Sequence, residues 1–519
     1  MSQAASASVQ ESPVIETALG KLRGATVDGV NIFKGIRYAQ AARFRPPQPV
    51  AAWPGIRDAL ALGPSTPQPK RAAEVPWWDW ITGRQPQSED CLVLNVFAPT
   101  SAIGRKLPVM FYLHGGGFTT GSASAPGVDG AELARRGDVV VVSINHRLNL
   151  FGFLYLAELA GPDYADSGNV GMLDCVAALQ WVRQNISAFG GDPDNVTIFG
   201  QSGGASKVAV LMAAPAAHGL FHKAIIQSAS SLIRMVMPEA ATASAKALCD
   251  AVGATANKLR DVPVDALLAA RLTVVAKAGG SDPWRPVMDG RFLPTHPFDP
   301  AAPALSKQLP LIIGTADTEQ TFFLGASDRN FSLQRGEAIA RIARFIGVAD
   351  GEAARLYENY RASHISASPS EIMAYVMSDQ MYRRNDTLAA DLRARQGGAP
   401  TYSYVITWRS PVMGGKLMSP HTVCIPFVFG TLGAAAPMIG SGAAQAALSA
   451  KMMGAWTSFA RSGVPTASGL PAWTPYNADT RPTMVFDDDC RVENDPRQAD
   501  RLALARYPLY APEDSARRD

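Results

Sequence analysis

A serine flanked by glycines is the first feature of this sequence that could carry out chemistry. The segment NVTIFGQSGGASKVAVLM places Ser202 at the centre of a G-x-S-x-G pattern, between an apolar run that predicts a strand and a run that predicts a helix. Glycines are needed beside such a serine because the turn is tight, and the turn exposes the hydroxyl at a helix N-terminus, where an oxyanion is favoured. The pattern alone also fits an ordinary glycine–serine loop. With its flanking strand and helix, it favours a nucleophilic serine.

A run of three glycines upstream would complete such a site. In LPVMFYLHGGGFTTGS, the residues from His114 to Gly117 directly follow a predicted strand. Consecutive glycines let main-chain N–H groups turn towards a substrate oxygen, and with the N–H of Gly203 they would stabilise the oxyanion of a tetrahedral intermediate. Loss of one such donor typically costs about 3 kcal/mol. Taken alone, the run fits a glycine-rich corner between strand and loop equally well.

A serine nucleophile also needs a general base and an acid that orients the base. For this arrangement the order along the chain is serine, acid, histidine, and only His364 and His421 lie beyond the strand expected to carry the acid. His364 lies in a polar, helix-like stretch, whereas His421 opens a loop before VCIPFVFG, so His421 is the better candidate. For the acid, PLIIGTADTEQTFF ends a predicted strand with Asp317 and Glu319. Their chemistry leaves the choice between these two open.

The elements that must hold these groups follow from the hydropathy pattern. Short apolar runs alternate with helical patterns such as Met172–Ile186, which predicts an α/β fold with a large, mostly parallel central sheet flanked by helices. The N-terminal segment ETALGKLRGATVDGVNIFKGIRYA predicts a small antiparallel leaf. We expect a single catalytic domain over residues 1–519, with helical insertions at approximately 238–281 and 328–396. The predicted strands are LPVMFYL, DVVVVSIN, NVTIFG, KAIIQS, LPLIIGT and YSYVITW.

The composition favours a globular protein that acts on a small molecule. Of 519 residues, 47% are hydrophobic and 18% are charged, and the net charge of +3 is not gathered in a basic block, which argues against a nucleic-acid partner. We expect no membrane span and no secretory signal in the given sequence, although a processed secreted form stays open. Five cysteines without C-x-x-C spacing favour reduced thiols and a cytoplasmic location. The pattern predicts no metal or organic cofactor, and it leaves the oligomeric state open.

Taken together, the motifs resemble the type-B carboxylesterase/lipase family, which includes the cholinesterases and bacterial para-nitrobenzyl esterases and has the α/β-hydrolase fold. The similarity runs over nearly the whole chain. The resemblance implies hydrolysis of carboxylic esters through a Ser-His-Glu triad and an acyl-enzyme, without a cofactor. The segments that carry it are FKGIRYA, SEDCLVLNVFAP, HGGGF, NHRLNLFGFL and GNVGMLDCVAALQWVRQNISAFGGDPDNVTIFGQSGG.

The resemblance also implies roles for individual residues. A family segment of the form G-T-x-x-D-E-G falls on GTADTEQ and selects Glu319 as the acid, and a segment P-[FY]-V-F-G follows His421 and selects it as the base. Ser228, in AIIQS, matches a family serine that supports the triad glutamate. The oxyanion donors that it implies are Gly116, Gly117 and Gly203.

Several positions depart from the family pattern. Gln201 stands where the family usually has glutamate beside the nucleophile, which removes a negative charge and favours neutral apolar or aromatic esters over choline-like substrates. Cys424 replaces an acidic residue after the histidine. Thr66 stands where Cys91 would have its disulfide partner, and the missing bridge supports a reducing compartment.

Alternative interpretations concern both function and structure. The same triad can attack amides or carbamates, and the family also contains cholinesterase-like binding domains that have lost the nucleophile. The loop with Trp77, Trp78 and Trp80 fits either a hydrophobic anchor or an aromatic rim over the pocket. By resemblance, Glu89 forms a structural ion pair with Arg43.

Overall fold

The computed structural model describes residues 10–11, 14–69 and 75–510. Within these ranges, a sheet of twelve strands is accompanied by two smaller sheets. The strands are β1 (Gln10–Glu11), β2 (Ile15–Thr17), β3 (Gly20–Arg23), β4 (Ala25–Val27), β5 (Val30–Arg37), β6 (Ala39–Gln40), β7 (Gln48–Pro49), β8 (Ile56–Asp58), β9 (Val93–Pro99), β10 (Leu107–Leu113), β11 (Val140–Ile144), β12 (Gly191–Gln201), β13 (Lys223–Gln227), β14 (Leu311–Ala316), β15 (Thr401–Ile406), β16 (Pro482–Phe486) and β17 (Arg491–Asn494).

Helices cover both faces of the large sheet and form the segments between its later strands. The α-helices of the described ranges are α1 (Ala131–Gly137), α2 (Asn149–Phe153), α3 (Ala157–Ala160), α4 (Val170–Asn185), α5 (Gly203–Ala213), α6 (Pro238–Val252), α7 (Val264–Lys277), α8 (Thr321–Leu324), α9 (Arg335–Ile346), α10 (Asp350–Ser363), α11 (Pro369–Ser378), α12 (Arg384–Gln396), α13 (Cys424–Phe429), α14 (Ala436–Ile439), α15 (Ala443–Ser462) and α16 (Gln498–Leu504).

The large sheet has the order β1-β4-β5-β9-β11-β10-β12-β13-β14-β15-β16-β17. Its centre, from β11 to β16, is parallel throughout, and antiparallel strands flank it on both sides. The α/β fold with a mostly parallel central sheet is therefore confirmed. All six predicted strands are present, and the helix predicted from Met172 is α4.

The core has two layers because the central strands bury both of their faces. Along β10, the side chains of Val109, Phe111 and Leu113 belong to the hydrophobic cluster on one face, and those of Met110 and Tyr112 belong to the cluster on the other. All seven residues of β10 are buried. This pattern explains why the strand appears in the sequence as a continuous apolar run, as expected of parallel strands covered on both sides.

The N-terminal segment is antiparallel as predicted, but it does not form one separate leaf. Strands β4 and β5 pair antiparallel and join the large sheet through β9, whereas β2, β3 and β8 form a small sheet of their own. Of the two segments predicted as helical insertions, 238–281 contains α6 and α7, and 328–396 contains α9 to α12. The division into a single domain stays a prediction. None of the described helices combines the length and hydropathy that a bilayer-spanning segment requires.

Candidate active site

The candidate nucleophile lies at a sharp turn between β12 and α5. Ser202 has φ 58° and ψ −125°, a left-handed conformation that is uncommon for a residue with a side chain and marks backbone strain. Its amide donates to the carbonyl of Gln227 on β13 at 2.8 Å. A Cβ atom at Gly204 would lie 1.9 Å from the carbonyl oxygen of Leu113, so only glycine lets the first turn of α5 approach β10 this closely. The side chain of Ser202 remains partly exposed.

The glycine loop after β10 lies directly against this turn. A Cβ atom at Gly203 would fall 2.1 Å from the carbonyl oxygen of Gly117, which places the first residue of α5 beside the loop. Gly116 and Gly117 are exposed and have φ angles of 89° and 63°. In the described ranges neither amide donates a hydrogen bond, and the amide of Gly203 has no partner within its helix because it is the first helical residue. The three predicted donors therefore lie together with their N–H groups available to a ligand oxygen.

The candidate base and acid form a buried pair. Nδ1 of His421 donates to a carboxylate oxygen of Glu319, and the other carboxylate oxygen accepts from the amide of Ala316 at 2.7 Å. Both side chains are buried. Because Nδ1 carries the proton in this hydrogen bond, Nε2 is left as an acceptor, which is the tautomer a general base requires.

The structure also separates the two carboxylates that the sequence left open. Asp317 does not face the histidine, since its carboxylate pairs with Arg497 at 2.7 Å. His364, the other histidine considered, lies 2.8 Å from Asp500 between its Nε2 and a carboxylate oxygen. Asp317 and His364 thus belong to a separate ion-pair network around Arg497.

Gln201 makes a contact that the sequence did not indicate. Its side chain is buried, and its amide nitrogen lies 3.1 Å from Nε2 and 3.3 Å from Nδ1 of His421, which places it over the imidazole ring. Among the contacts of the described residues, the hydroxyl of Ser202 makes no hydrogen bond to His421. Gln201 is therefore more than a missing charge, because its amide lies against the imidazole of the candidate base.

Ser228, which the resemblance places as a supporting residue of the triad glutamate, is held through its main chain. Its amide donates to the carbonyl of Gly314 at 2.8 Å, and its φ is 58°. In the described part of the chain its hydroxyl makes no hydrogen bond to Glu319, whose second carboxylate oxygen is satisfied by Ala316 instead. A supporting role of Ser228 towards Glu319 stays a prediction.

Two tryptophans of the loop before β9 have structural contacts. The 3-10 helix Pro76–Ile81 buries Trp80, whose indole N–H donates to the carbonyl of Trp77 at 2.7 Å. The indole N–H of Trp77 in turn donates to the carbonyl of Phe322 at 3.3 Å. These contacts attach the loop to the protein, as the anchor interpretation predicted.

The third tryptophan of this loop belongs to a row of aromatic rings that ends at the candidate base. Trp78 stacks on Phe322 with ring centroids 5.2 Å apart, and Phe322 contacts Phe323 edge to face at the same distance. The ring of Phe323 lies 5.4 Å from that of His421 and is 39% exposed. The loop therefore serves as anchor through Trp80 and as part of an aromatic rim through Trp78.

Two structural expectations outside the site can also be compared with the contacts. Arg43 pairs with Glu89, with Nε 2.7 Å from one carboxylate oxygen, as the resemblance implied. Thr66 lies 3.1 Å from the sulfur of Cys91, and all five cysteines are free thiols. A cytoplasmic location stays a prediction. Across the described ranges, no group of three or more His, Cys, Asp or Glu side chains is arranged to hold a metal ion.

The candidate residues come from the carboxyl ends of neighbouring parallel strands. The glycine loop follows β10, Ser202 follows β12, and Glu319 follows β14, while His421 lies after β15. A serine at a strand–helix turn on this edge, with an acid and a histidine supplied later in the chain, defines the α/β-hydrolase class.

Comparison with known proteins identifies the family within this class. Residues 11–503 match the carboxylesterase family, and the chain belongs to it. The chain is 35% identical to the para-nitrobenzyl esterase of Bacillus subtilis (strain 168), covering 95% of this chain and 98% of that protein. It is 32% identical to the phenmedipham hydrolase of Pseudarthrobacter oxydans, covering 95% and 99%. The crystal structure of the Geobacillus stearothermophilus carboxylesterase EST55 at pH 6.2 superposes with a TM-score of 0.82 at 38% identity, covering 94% of this chain and 99% of that one.

Proposed function

We propose that this carboxylesterase hydrolyses its ester substrates by two-step acyl transfer, with Ser202 as nucleophile, His421 as general base and Glu319 as the orienting acid. The observation that carries the proposal is the hydrogen bond from Nδ1 of His421 to Glu319, next to the strained turn that presents Ser202. An imidazole held in this tautomer can accept a proton at Nε2.

In the acylation step, the oxygen of Ser202 attacks the ester carbonyl as its proton moves to Nε2 of His421. The oxyanion accepts hydrogen bonds from the amides of Gly116, Gly117 and Gly203, and the imidazolium then protonates the departing alcohol.

In the deacylation step, water attacks the acyl-enzyme while His421 takes the proton of the water molecule. The second tetrahedral intermediate collapses to the carboxylic acid and returns the proton to the oxygen of Ser202. Glu319 stays ionised throughout and stabilises the imidazolium each time it forms. The proton transfers of the two steps involve only the triad, the substrate and water.

The surroundings of the triad favour neutral esters with an aromatic or other apolar group. Gln201 is uncharged, and the exposed edge of the aromatic rim, Phe323, lies beside His421. An aryl group can stack there at the distances common for aromatic pairs. The names of the two bacterial relatives, para-nitrobenzyl esterase and phenmedipham hydrolase, are consistent with substrates that are not choline esters.

The triad itself is tested by substituting the nucleophile. Ser202→Ala should reduce hydrolysis of a short-chain para-nitrophenyl ester to background while the thermal unfolding transition is kept. Ser244→Ala on α6, far from the turn, provides a matched serine control that should retain activity. Unchanged turnover in Ser202→Ala would rule out the proposal.

Amides and carbamates are the second candidate substrates, because the same triad can attack their carbonyls. The comparison that decides is kcat/KM for an ester and an amide or carbamate with the same acyl and aryl groups. We expect the ester to be preferred. A non-catalytic binding role is disfavoured by the retained serine, histidine, glutamate and glycine donors.

A further inference from the structure

A buried lysine without a carboxylate partner lies close to the proposed oxyanion site. Lys207 is on α5, five residues after Ser202, and its side chain is fully buried. Within the described ranges it forms no ion pair. Its ammonium group instead donates to two main-chain carbonyls, those of His114 at 3.0 Å and Gly117 at 2.9 Å. Burying an amine is unfavourable unless it is hydrogen-bonded, and these two hydrogen bonds offset that cost. The presence of a lysine at this buried position therefore needs an explanation.

The two carbonyls lie on either side of the proposed oxyanion donors. The carbonyl of His114 belongs to the peptide unit that ends at Gly115, and that of Gly117 belongs to the peptide unit that ends at Phe118. The N–H groups of Gly116 and Gly117 belong to the two peptide units between them. Since each peptide unit is planar, fixing the flanking units at both ends restricts the rotation of the two donors.

Glycines need such a restraint more than other residues do. Gly116 and Gly117 are exposed and adopt positive φ angles, and a glycine has the widest choice of backbone conformations. Inside the loop, the carbonyl of Gly116 accepts from the amides of Thr119 and Thr120 at 3.2 and 3.0 Å. Lys207 adds the two contacts that connect the loop to α5, the helix whose first residue, Gly203, supplies the third donor.

We propose that Lys207 is a positioning residue for oxyanion stabilisation, which acts by fixing the glycine loop to the helix of the nucleophile. The inference rests on the proposed function, because it assumes that the amides of Gly116, Gly117 and Gly203 bind the oxyanion. Lys207 does not touch the substrate. It sets the direction of donors that must already point at the oxygen when its charge develops, which is the arrangement that makes such donors effective.

The two contacts do not depend on the protonation state of the lysine. Burial lowers the pKa of Lys207 to about 7. A neutral amine keeps two N–H groups, one for each carbonyl, and the ring centroid of Phe118 lies 5.5 Å from Nζ. The titratable groups around it are His114, His146 and Cys175. We therefore expect the restraint to persist on both sides of neutral pH.

The test compares a transition-state analogue with the substrate in the full-length protein. Lys207→Met keeps the length and apolar stem of the side chain and removes both donors. We expect kcat for a para-nitrophenyl ester to fall about 10- to 100-fold, less than the loss of a whole donor, with KM within about twofold. The inhibition constant of a trifluoromethyl ketone, which forms a tetrahedral adduct with the serine, should rise by the same factor as kcat falls. Counting active sites with a fluorophosphonate makes both values independent of the folded fraction.

Lys223→Met is the matched control, because Lys223 is also largely buried but lies at the amino end of β13, where it donates to Asn195. It should leave kcat and the ketone affinity unchanged. A Lys207→Met protein with wild-type kcat and ketone affinity would overturn the inference. If that variant does not fold, Lys207→Gln takes its place. Its side chain is shorter and keeps an N–H donor, so kcat and the ketone affinity should each fall by part of the expected factor. Wild-type kcat and ketone affinity in Lys207→Gln would also overturn the inference. Failure of the fluorophosphonate to react with Ser202 in the unmodified protein would instead contradict the proposed function.

Discussion

His421 and Glu319 are joined twice, once between side chains and once through the main chain. Besides the bond from Nδ1 to the carboxylate, the amide of His421 donates to the carbonyl of Glu319 at 3.2 Å. The loop that carries the histidine is therefore held to the loop that carries the acid. The imidazole is oriented by contacts that exist before any substrate binds.

This pair predicts unequal effects of removing the two neighbouring carboxylates. Glu319→Gln should lower kcat about 10³- to 10⁴-fold, because an amide can hold the wrong tautomer of His421 and cannot stabilise its cation. Asp317→Asn, which breaks a contact to Arg497, should leave kcat within about twofold and act on stability instead. Steady-state kinetics on both variants provides the comparison. Similar losses in both would mean that the acid is wrongly assigned.

The contact between Gln201 and His421 predicts a change in pH dependence. Gln201→Glu would place a carboxylate next to the imidazole and favour its protonated form, so the acidic limb of the kcat profile should move about one unit to higher pH. Activity near pH 6 should therefore fall more than activity near pH 8. Gln201→Met removes the amide without adding charge and should leave the limb in place. A limb that does not move in Gln201→Glu would show that this side chain is not close to the base in solution.

The aromatic rim predicts a change in substrate preference. Phe323→Ala and Trp78→Ala should reduce the ratio of kcat/KM for a phenyl ester to that for an ethyl ester of the same acid by about three- to tenfold, since an aromatic contact contributes about 0.5–1.5 kcal/mol. Phe345→Ala on α9 removes an aromatic ring that stacks on Tyr510 and should not alter the ratio. An unchanged ratio in both rim variants would place the aryl group elsewhere.

Two buried histidines predict that the protein loses stability in acid. His114 and His146 stack with ring centroids 4.9 Å apart, and burial lowers the pKa of His114 to about 3 and that of His146 well below its ordinary value. Between about pH 6.5 and 3 the unfolded chain binds the proton of His114 and the folded chain does not, and the pKa of His146 is shifted in the same direction. The free energy of unfolding should therefore fall with pH by up to about 1.4 kcal/mol per pH unit for each histidine.

Denaturant unfolding at several pH values measures this dependence. His146→Asn should have a shallower fall between pH 6.5 and 4 than the wild-type protein, whatever its stability at neutral pH. If the free energy of unfolding fell equally steeply with pH in the two proteins, His146 would take up its proton in the folded state.

The strands and helices were easier to predict from the sequence than the contacts around the candidate site. The central strands were visible because both of their faces are buried, and the turn at Ser202 needs glycines that are visible in a sequence. Asp317 and Glu319 could not be separated by residue type, because their different partners, Arg497 and His421, lie far away along the chain. Family resemblance selected Glu319, and in the structure the carboxylate of this residue accepts from His421.

Other features depend on contacts between distant parts of the chain. Burial of Trp80 and stacking of Trp78 on Phe322 result from packing against later segments, which local pattern does not encode. The pairing of β5 with β9 is likewise non-local, and it places the N-terminal hairpin in the large sheet. Lys207 did leave a signal, since it interrupts the apolar run of a helix that the fold buries on all sides.

The most direct test of the proposed chemistry is to locate the covalent adduct of a fluorophosphonate by mass spectrometry. We predict one adduct per chain, on Ser202, which forms in step with the loss of esterase activity. His421→Asn should slow its formation by more than about 100-fold, because the serine loses its general base. Complete inactivation with the adduct on another residue, or full activity after modification of Ser202, would contradict the assignment of the nucleophile.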